Sequence, residues 1–399
     1  MSQPSTQTLA ATPQRPPRRL SWNDPGVRAV VYQVLAVAAV GLVIWFLVSN
    51  TLHNLAARNI ATGFGFLWRE AGFAIGESLI DYGPANSYGR AIVVGLVNTL
   101  RVALIALVLS TALGILIGIA RLSKNWLINR LASIYVEVMR NVPLLIQLFF
   151  WYAVITENMP GPRQALNPLP GFFISNRGLK LPALQGNALD WILWGLGLAI
   201  VAIIGLHRWG SKRQEATGKV FPLLRAALAL VIGLPIIGWL ASGASLTLDM
   251  PVLKGFNFQG GLTLTPEFAA LLAGLTIYTS AFIAEVVRSG IQAVNHGQTE
   301  AASSLGLRRG LVLRLVVLPQ ALRVIIPPMT SQYLNLTKNS SLAVAIGYPD
   351  IVSVVNTTLN QTGQAIEGIL IIMGAYLTVS LSISIFMNWY NKRIALVER

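Results

Sequence analysis

The strongest constraint on this chain is a series of apolar runs, at about 27–52, 91–120, 132–157, 188–206, 221–241, 267–287, 322–346 and 365–390. Each is close to the ~20 residues that a helix needs to cross a bilayer. Lipid offers the backbone no hydrogen bonds, so such runs must be helical. The expectation is an all-α polytopic membrane protein with about eight transmembrane helices. The seventh is the weakest, because Pro327-Pro328 interrupts it and Lys338 lies near its end. Composition agrees, with 54% hydrophobic and 11% charged residues against about 25% charged in a soluble domain.

A net charge of +15 would suit a nucleic-acid binder, but its placement argues otherwise. With an even number of spans both termini share a side, and that side collects 19 of the 30 Lys and Arg while the other collects 7. Such asymmetry puts both termini in the cytoplasm. The excess charge is then topological, and no nucleic-acid partner is expected. Residues 1–26, rich in Pro, Gln, Ser and Thr with Arg15, Arg18 and Arg19, read as a disordered basic cytoplasmic arm. Residues 27–90 supply a first membrane helix, too long for a cleaved signal core, and a segment at the far interface. The Pro-rich stretch 159–184 and the Gly-rich stretch 242–266 read as surface loops on that far side.

One water-side segment stands apart. Between Glu285 and Pro328, small and charged residues separate two spanning runs. Thr299 can cap a short helix, Glu300 in its first turn complements the helix dipole, Ala301 and Ala302 favour helix, and Gly306 suits the left-handed residue that ends it. A small-tipped knob of this kind fits a groove on a partner, although an ordinary connecting loop has the same local physics.

Glu300-Ala301-Ala302, then Gly306, then Val316-Val317-Leu318-Pro319 resembles the cytoplasmic signature loop of the membrane subunits of ABC importers, with Val316 where that family often has Ile. Around it, Tyr278, Glu285, Arg288, Gly290-Ile291, Gly297-Gln298 and Lys338-Asn339-Ser340-Ser341-Leu342 resemble the histidine/glutamine-type amino-acid permeases. Gly95 and Asn98-Thr99-Leu100 resemble that family's first core helix, and Arg140, Pro143-Leu144-Leu145 and Gln147 its Arg-x-x-Pro-Leu stretch. The resemblance covers the second, third, sixth, seventh and eighth spans. The others resemble additions in the larger permeases of general L-amino-acid importers.

The resemblance implies a type I ABC importer permease core at 91–399 with extra spans at about 188–241 and a coupling loop at about 290–320, in a bacterial inner membrane. It also implies partners: a pair of ATPase subunits, a second homologous permease subunit, a periplasmic amino-acid-binding protein and membrane lipid. Thr299, Glu300, Ala301, Ala302, Gly306 and Pro319 would couple the chain to the ATPase, and polar L-amino acids would be carried. The sequence contains no G-x-x-x-x-G-K-[ST] cradle for phosphates and no catalytic or metal-binding constellation. No cofactor is expected on this chain, and ATP and Mg would belong to the partner subunits.

Two acid–base pairs at helical spacing, Glu285 with Arg288 and Glu137 with Arg140, are candidate interfacial ion pairs or gates; Lys338 is a third gate candidate. Asn98, Thr99, Gln147, Tyr278, Thr279, Ser280 and Asn335 are polar within spans and are candidates for the solute path. Interhelical hydrogen bonds are the alternative for each. The competing function is an ion-coupled secondary amino-acid transporter, which needs buried carboxylates that the sequence does not supply.

Overall fold

The computed structural model describes residues 25–57, 62–184, 188–218, 221–243 and 248–394; the basic arm at 1–24 lies outside them. The chain divides into two units, residues 1–63 and residues 64–399. The first holds α1 (Pro25–Ala57), a 33-residue helix that is apolar on all sides.

The second unit is built on α2 (Tyr88–Ala120). Ser87 caps it, accepting from Arg90 N at 3.3 Å. Its buried face is a stripe of small residues that includes Ala91, Gly95, Ala106, Ser110, Gly114 and Gly118. The later part of that stripe receives α7 (Pro266–Gln292) almost backbone to backbone: a Cβ on Gly114 would lie 2.5 Å from Ile283 and one on Gly118 2.8 Å from the Ala284 carbonyl, whereas Gly95 faces Asp350 and Ile351. Close approach through small residues is how helices gain packing where lipid removes the hydrophobic driving force.

The third expected span is broken. α3 (Trp126–Asn141) and α4 (Leu144–Asn158) meet at 106°. Pro143 has no amide to donate and forces the residue before it out of helical geometry; Val142 is extended at φ −90°, ψ 125°. Gln147 staples the corner, its Nε2 donating to the Met139 and Val142 carbonyls at 3.0 Å each. The seventh span, by contrast, stays helical through Pro327 and Pro328 in α10 (Leu318–Asn339). Its irregular parts lie at either end: a π segment, Leu313–Val317, and a 3-10 segment, Ser340–Ile346.

α5 (Ala188–Thr217) and α6 (Leu223–Ser242) form a hairpin that packs chiefly on itself. α11 (Ile351–Thr362) packs on α2, and α12 (Ala365–Ile394) completes the bundle. Among the described residues, seven helices are long and apolar enough to cross a membrane, or eight with the bent pair counted as one span.

The stretches expected as surface loops contain strands. β1 (Leu166–Leu169), β2 (Phe172–Ser175), β3 (Gly178–Leu181) and β8 (Leu262–Leu264) form a four-stranded antiparallel sheet. The pairing Leu179↔Leu264 ties the two stretches together. β4 (Ala183–Leu184) pairs with β5 (Leu248–Asp249), and β6 (Val252–Lys254) with β7 (Asn257–Gln259). The strands escape a sequence reading because each is two to four residues long and the partners of β3 and β4 lie across the α5–α6 insertion.

At the sheet end, a strap before α2 folds back against it: Phe66 and Ala71 bury with Tyr88, Ala91, Ile351 and Val354. Glu77 on that strap pairs with Arg101 at 2.6 Å, both largely buried, and its second oxygen accepts from Thr265 Oγ1 at 2.6 Å.

Candidate functional site

At the other end, α7 runs through a short turn into α8 (His296–Ser304), followed by α9 (Arg309–Val312) and the π segment. α8 is the expected short helix, displaced by one turn. Asn295, not Thr299, caps it, accepting from Gly297 N at 2.9 Å. Thr299 lies inside the helix and donates to the His296 carbonyl at 2.6 Å. Asn is as strong a cap as Thr, and the helix forms at the first cap it meets. Gly306 adopts φ +75° after the helix, the left-handed geometry that glycine accepts without a Cβ penalty.

The alanine pair divides its labour. Ala302 is buried with Val312 and Val317, which anchors α8 to the base of α10, whereas Ala301 is exposed. Glu300 is also exposed and pairs with His296 at 2.9 Å. Leu305, at 82% exposure, is an apolar tip that sequence reasoning missed; its only signal is a large apolar residue between Ser304 and Gly306. A groove of about 540 Å³ runs beside α8, lined by His296, Thr299, Glu300, Ser303, Arg309 and Leu313 among others. Pro319 lies at the start of α10, directly after the π segment Leu313–Val317.

Two turns before α7 ends, Glu285 gathers three arginines. Arg288 bonds one oxygen at 2.6 Å; Arg121 at the end of α2 bonds the other, and Arg140 of α3 approaches to 3.8 Å. The expected Glu285–Arg288 pair is therefore part of a larger cluster. The expected Glu137–Arg140 pair does not form: Glu137 is exposed, and Arg140 turns to Glu285 and lies over the Phe282 ring at 5.2 Å.

The polar residues singled out within spans fall into two groups. Asn98 and Thr99 are buried and hold backbone. Asn98 Nδ2 donates to the Glu77 and Pro349 carbonyls at 2.8 and 3.0 Å, and Thr99 Oγ1 accepts from Ile351 N at 3.0 Å. Gln147 holds the α3–α4 corner. Ser280 meets Tyr135 Oη at 2.7 Å, Thr279 is buried beside it, and Tyr278 packs on Phe282. Asn335 and Lys338 form the second group. With Ser331 they occupy one exposed stripe of α10, and among the described residues no carboxylate pairs with Lys338.

A helical bundle with seven or eight helices of spanning length and a short helix outside them is the architecture of a multi-pass membrane protein. The family described as the inner membrane component of binding-protein-dependent transport systems matches residues 218–396. YhdX of Escherichia coli (strain K12), provisionally named an amino-acid ABC transporter permease, is 53% identical over 95% of this chain and 97% of its own. The general L-amino acid transport system permease AapQ of Rhizobium johnstonii is 49% identical over 96% of each chain. BztB of Rhodobacter capsulatus, a glutamate/glutamine/aspartate/asparagine transport system permease, is 42% identical over 98% of this chain and all of its own. The chain belongs to this family of amino-acid ABC transporter permeases.

Proposed function

We propose that this chain is the membrane-spanning subunit through which an ATP-driven importer moves polar L-amino acids across a bacterial inner membrane. The observation that carries this reading is α8, a capped helix held at its base by Ala302 while Ala301, Glu300 and Leu305 stand bare. A surface of that form accepts a groove on a second protein. An ATPase pair binds there, with ATP and Mg held by the ATPase, and this chain hydrolyses nothing itself. The charge asymmetry of the sequence supports a cytoplasmic face for α8 and for both termini.

A second homologous permease subunit covers the open face of α10. A lysine in lipid is costly, so Ser331, Asn335 and Lys338 face an aqueous path between the two subunits, where Lys338 attracts a carboxylate. A periplasmic amino-acid-binding protein delivers solute at the sheet end. The names of the relatives, which cover L-amino acids in general and four acidic or amide amino acids, support the solute class.

Affinity purification from native membrane in mild detergent tests the docking helix. Wild type is expected to carry an ATPase that Gly306→Arg loses, because any side chain at φ +75° strains the cap and a long one fills the surface. Recovery of equal ATPase with both would sink the assignment. Uptake is expected to stop with vanadate and to persist with an uncoupler; the reverse result would favour an ion-coupled transporter.

A further inference from the structure

The cluster around Glu285 is out of balance. Arg121, Arg140 and Arg288 bring three fixed charges and fifteen N–H donors to one carboxylate, and Gln292 Oε1 takes one more bond from Arg288 at 2.9 Å. Glu137, the nearest acid along α3, is exposed and pairs with none of them. The side chain of Arg121 is 12% exposed and is spent on Glu285, but those of Arg140 and Arg288 keep 41% and 30% exposure. Arg288 bonds Glu285 and Gln292 through its two terminal nitrogens, and its Nε is buried without a partner among the described residues, whereas Arg140, 3.8 Å from the carboxylate, is the more exposed of the two.

The depth of the cluster is fixed by its neighbours. Arg121 ends α2, and α7 ends seven residues after Glu285 at Gln292, so the cluster lies at about the level where spans leave hydrocarbon. Basic pockets between helices at this depth bind anionic headgroups, and guanidinium matches phosphate with paired donors.

We propose that Arg140 and Arg288, both drawn to Glu285, form a binding site for a phosphate group, with an anionic phospholipid of the adjoining leaflet as its occupant. Two protein charges remain uncompensated in the cluster, and a phosphodiester removes one of them. It bridges α3 to α7 at the root of α8, so lipid composition sets how firmly that helix is seated.

The test uses the whole transporter, co-purified with its ATPase, in nanodiscs of phosphatidylcholine with and without phosphatidylglycerol, and separately in phosphatidylcholine with millimolar inorganic phosphate. Lipid retained through purification is counted by native mass spectrometry, and thermal midpoints are recorded. Arg140→Gln is compared with Arg130→Gln, an exposed arginine of α3 outside the cluster. Phosphatidylglycerol is expected to be retained and to raise the midpoint by about 2–4 °C. Arg140→Gln should weaken retention about fivefold, the factor for one basic residue at an anionic surface, and Arg130→Gln should not. A midpoint raised equally by inorganic phosphate keeps the phosphate site and removes lipid as its particular occupant. Equal loss in both variants, or no dependence on either probe, overturns the proposal. Continued ATPase co-purification in that case leaves the permease reading standing.

Discussion

Single side chains in this protein hold backbone that the sequence leaves exposed, and the cost of removing them depends on what is stranded. Glu77 is the clearest case. Its two oxygens serve Arg101 and Thr265, and Arg101 also lies over the Phe268 ring at 4.4 Å. Replacing Glu77 by Gln leaves a buried guanidinium without its counter-charge, a loss of about 3–5 kcal/mol. Adding Arg101→Met should recover much of the loss, since no lone charge remains; thermal unfolding of the wild type and the two variants in detergent checks the order. Asp350 makes a different prediction. It caps α11, accepting from Ser353 N at 2.8 Å, and burial pushes its carboxyl up to about 7. A folded-state value above the ordinary one means that the folded chain holds the extra proton. This contribution to stability is complete below about pH 4 and is lost as pH rises towards 7. Asp350→Asn keeps the cap and should flatten that part of the stability profile, measured as thermal midpoint against pH. None of these partners was legible in the sequence. Glu285 stood out through its spacing from Arg288, whereas Arg121 lies 164 positions away, and only the α2–α7 packing brings it near.

Whole elements were more legible than contacts, for reasons of length. A run of about 20 apolar residues has few fates other than a span, so most helices fall close to the expected limits, although α5, expected to end at 206, runs on to Thr217. The exceptions come from backbone chemistry. Pro143 corners a span that hydropathy draws straight, while Pro327 and Pro328 are absorbed within α10. The α2–α7 pair rests on glycine rather than on shape in general. Gly118→Leu would drive a side chain into the Ala284 carbonyl at 2.8 Å and Val287 at 2.9 Å, and should lower stability by about 1–3 kcal/mol, seen as a lower thermal midpoint. Gly197, whose added Cβ meets nothing within 4 Å, should accept Leu with little change.

At the scale of the molecule, the parts differ in how far they depend on one another. The α5–α6 hairpin locks onto itself, with Gly195 against Leu234 and Gly238 against Trp191, and it is tied to the rest through the β4–β5 pair. Replacing 185–247 with a short flexible linker should leave the remaining bundle folded, with a thermal midpoint within a few degrees of wild type. Loss of the folded bundle would show that the hairpin is structural to the core. The core itself has less freedom. β8 ends at Leu264, Thr265 caps the next helix, and α7 then runs unbroken for 27 residues, about 40 Å, to within three residues of α8. The sheet and α8 thus stand at the two ends of one unbroken helix, separated from it by a single residue at one end and by three at the other. A connection that short leaves few backbone torsions in which the two ends could move independently.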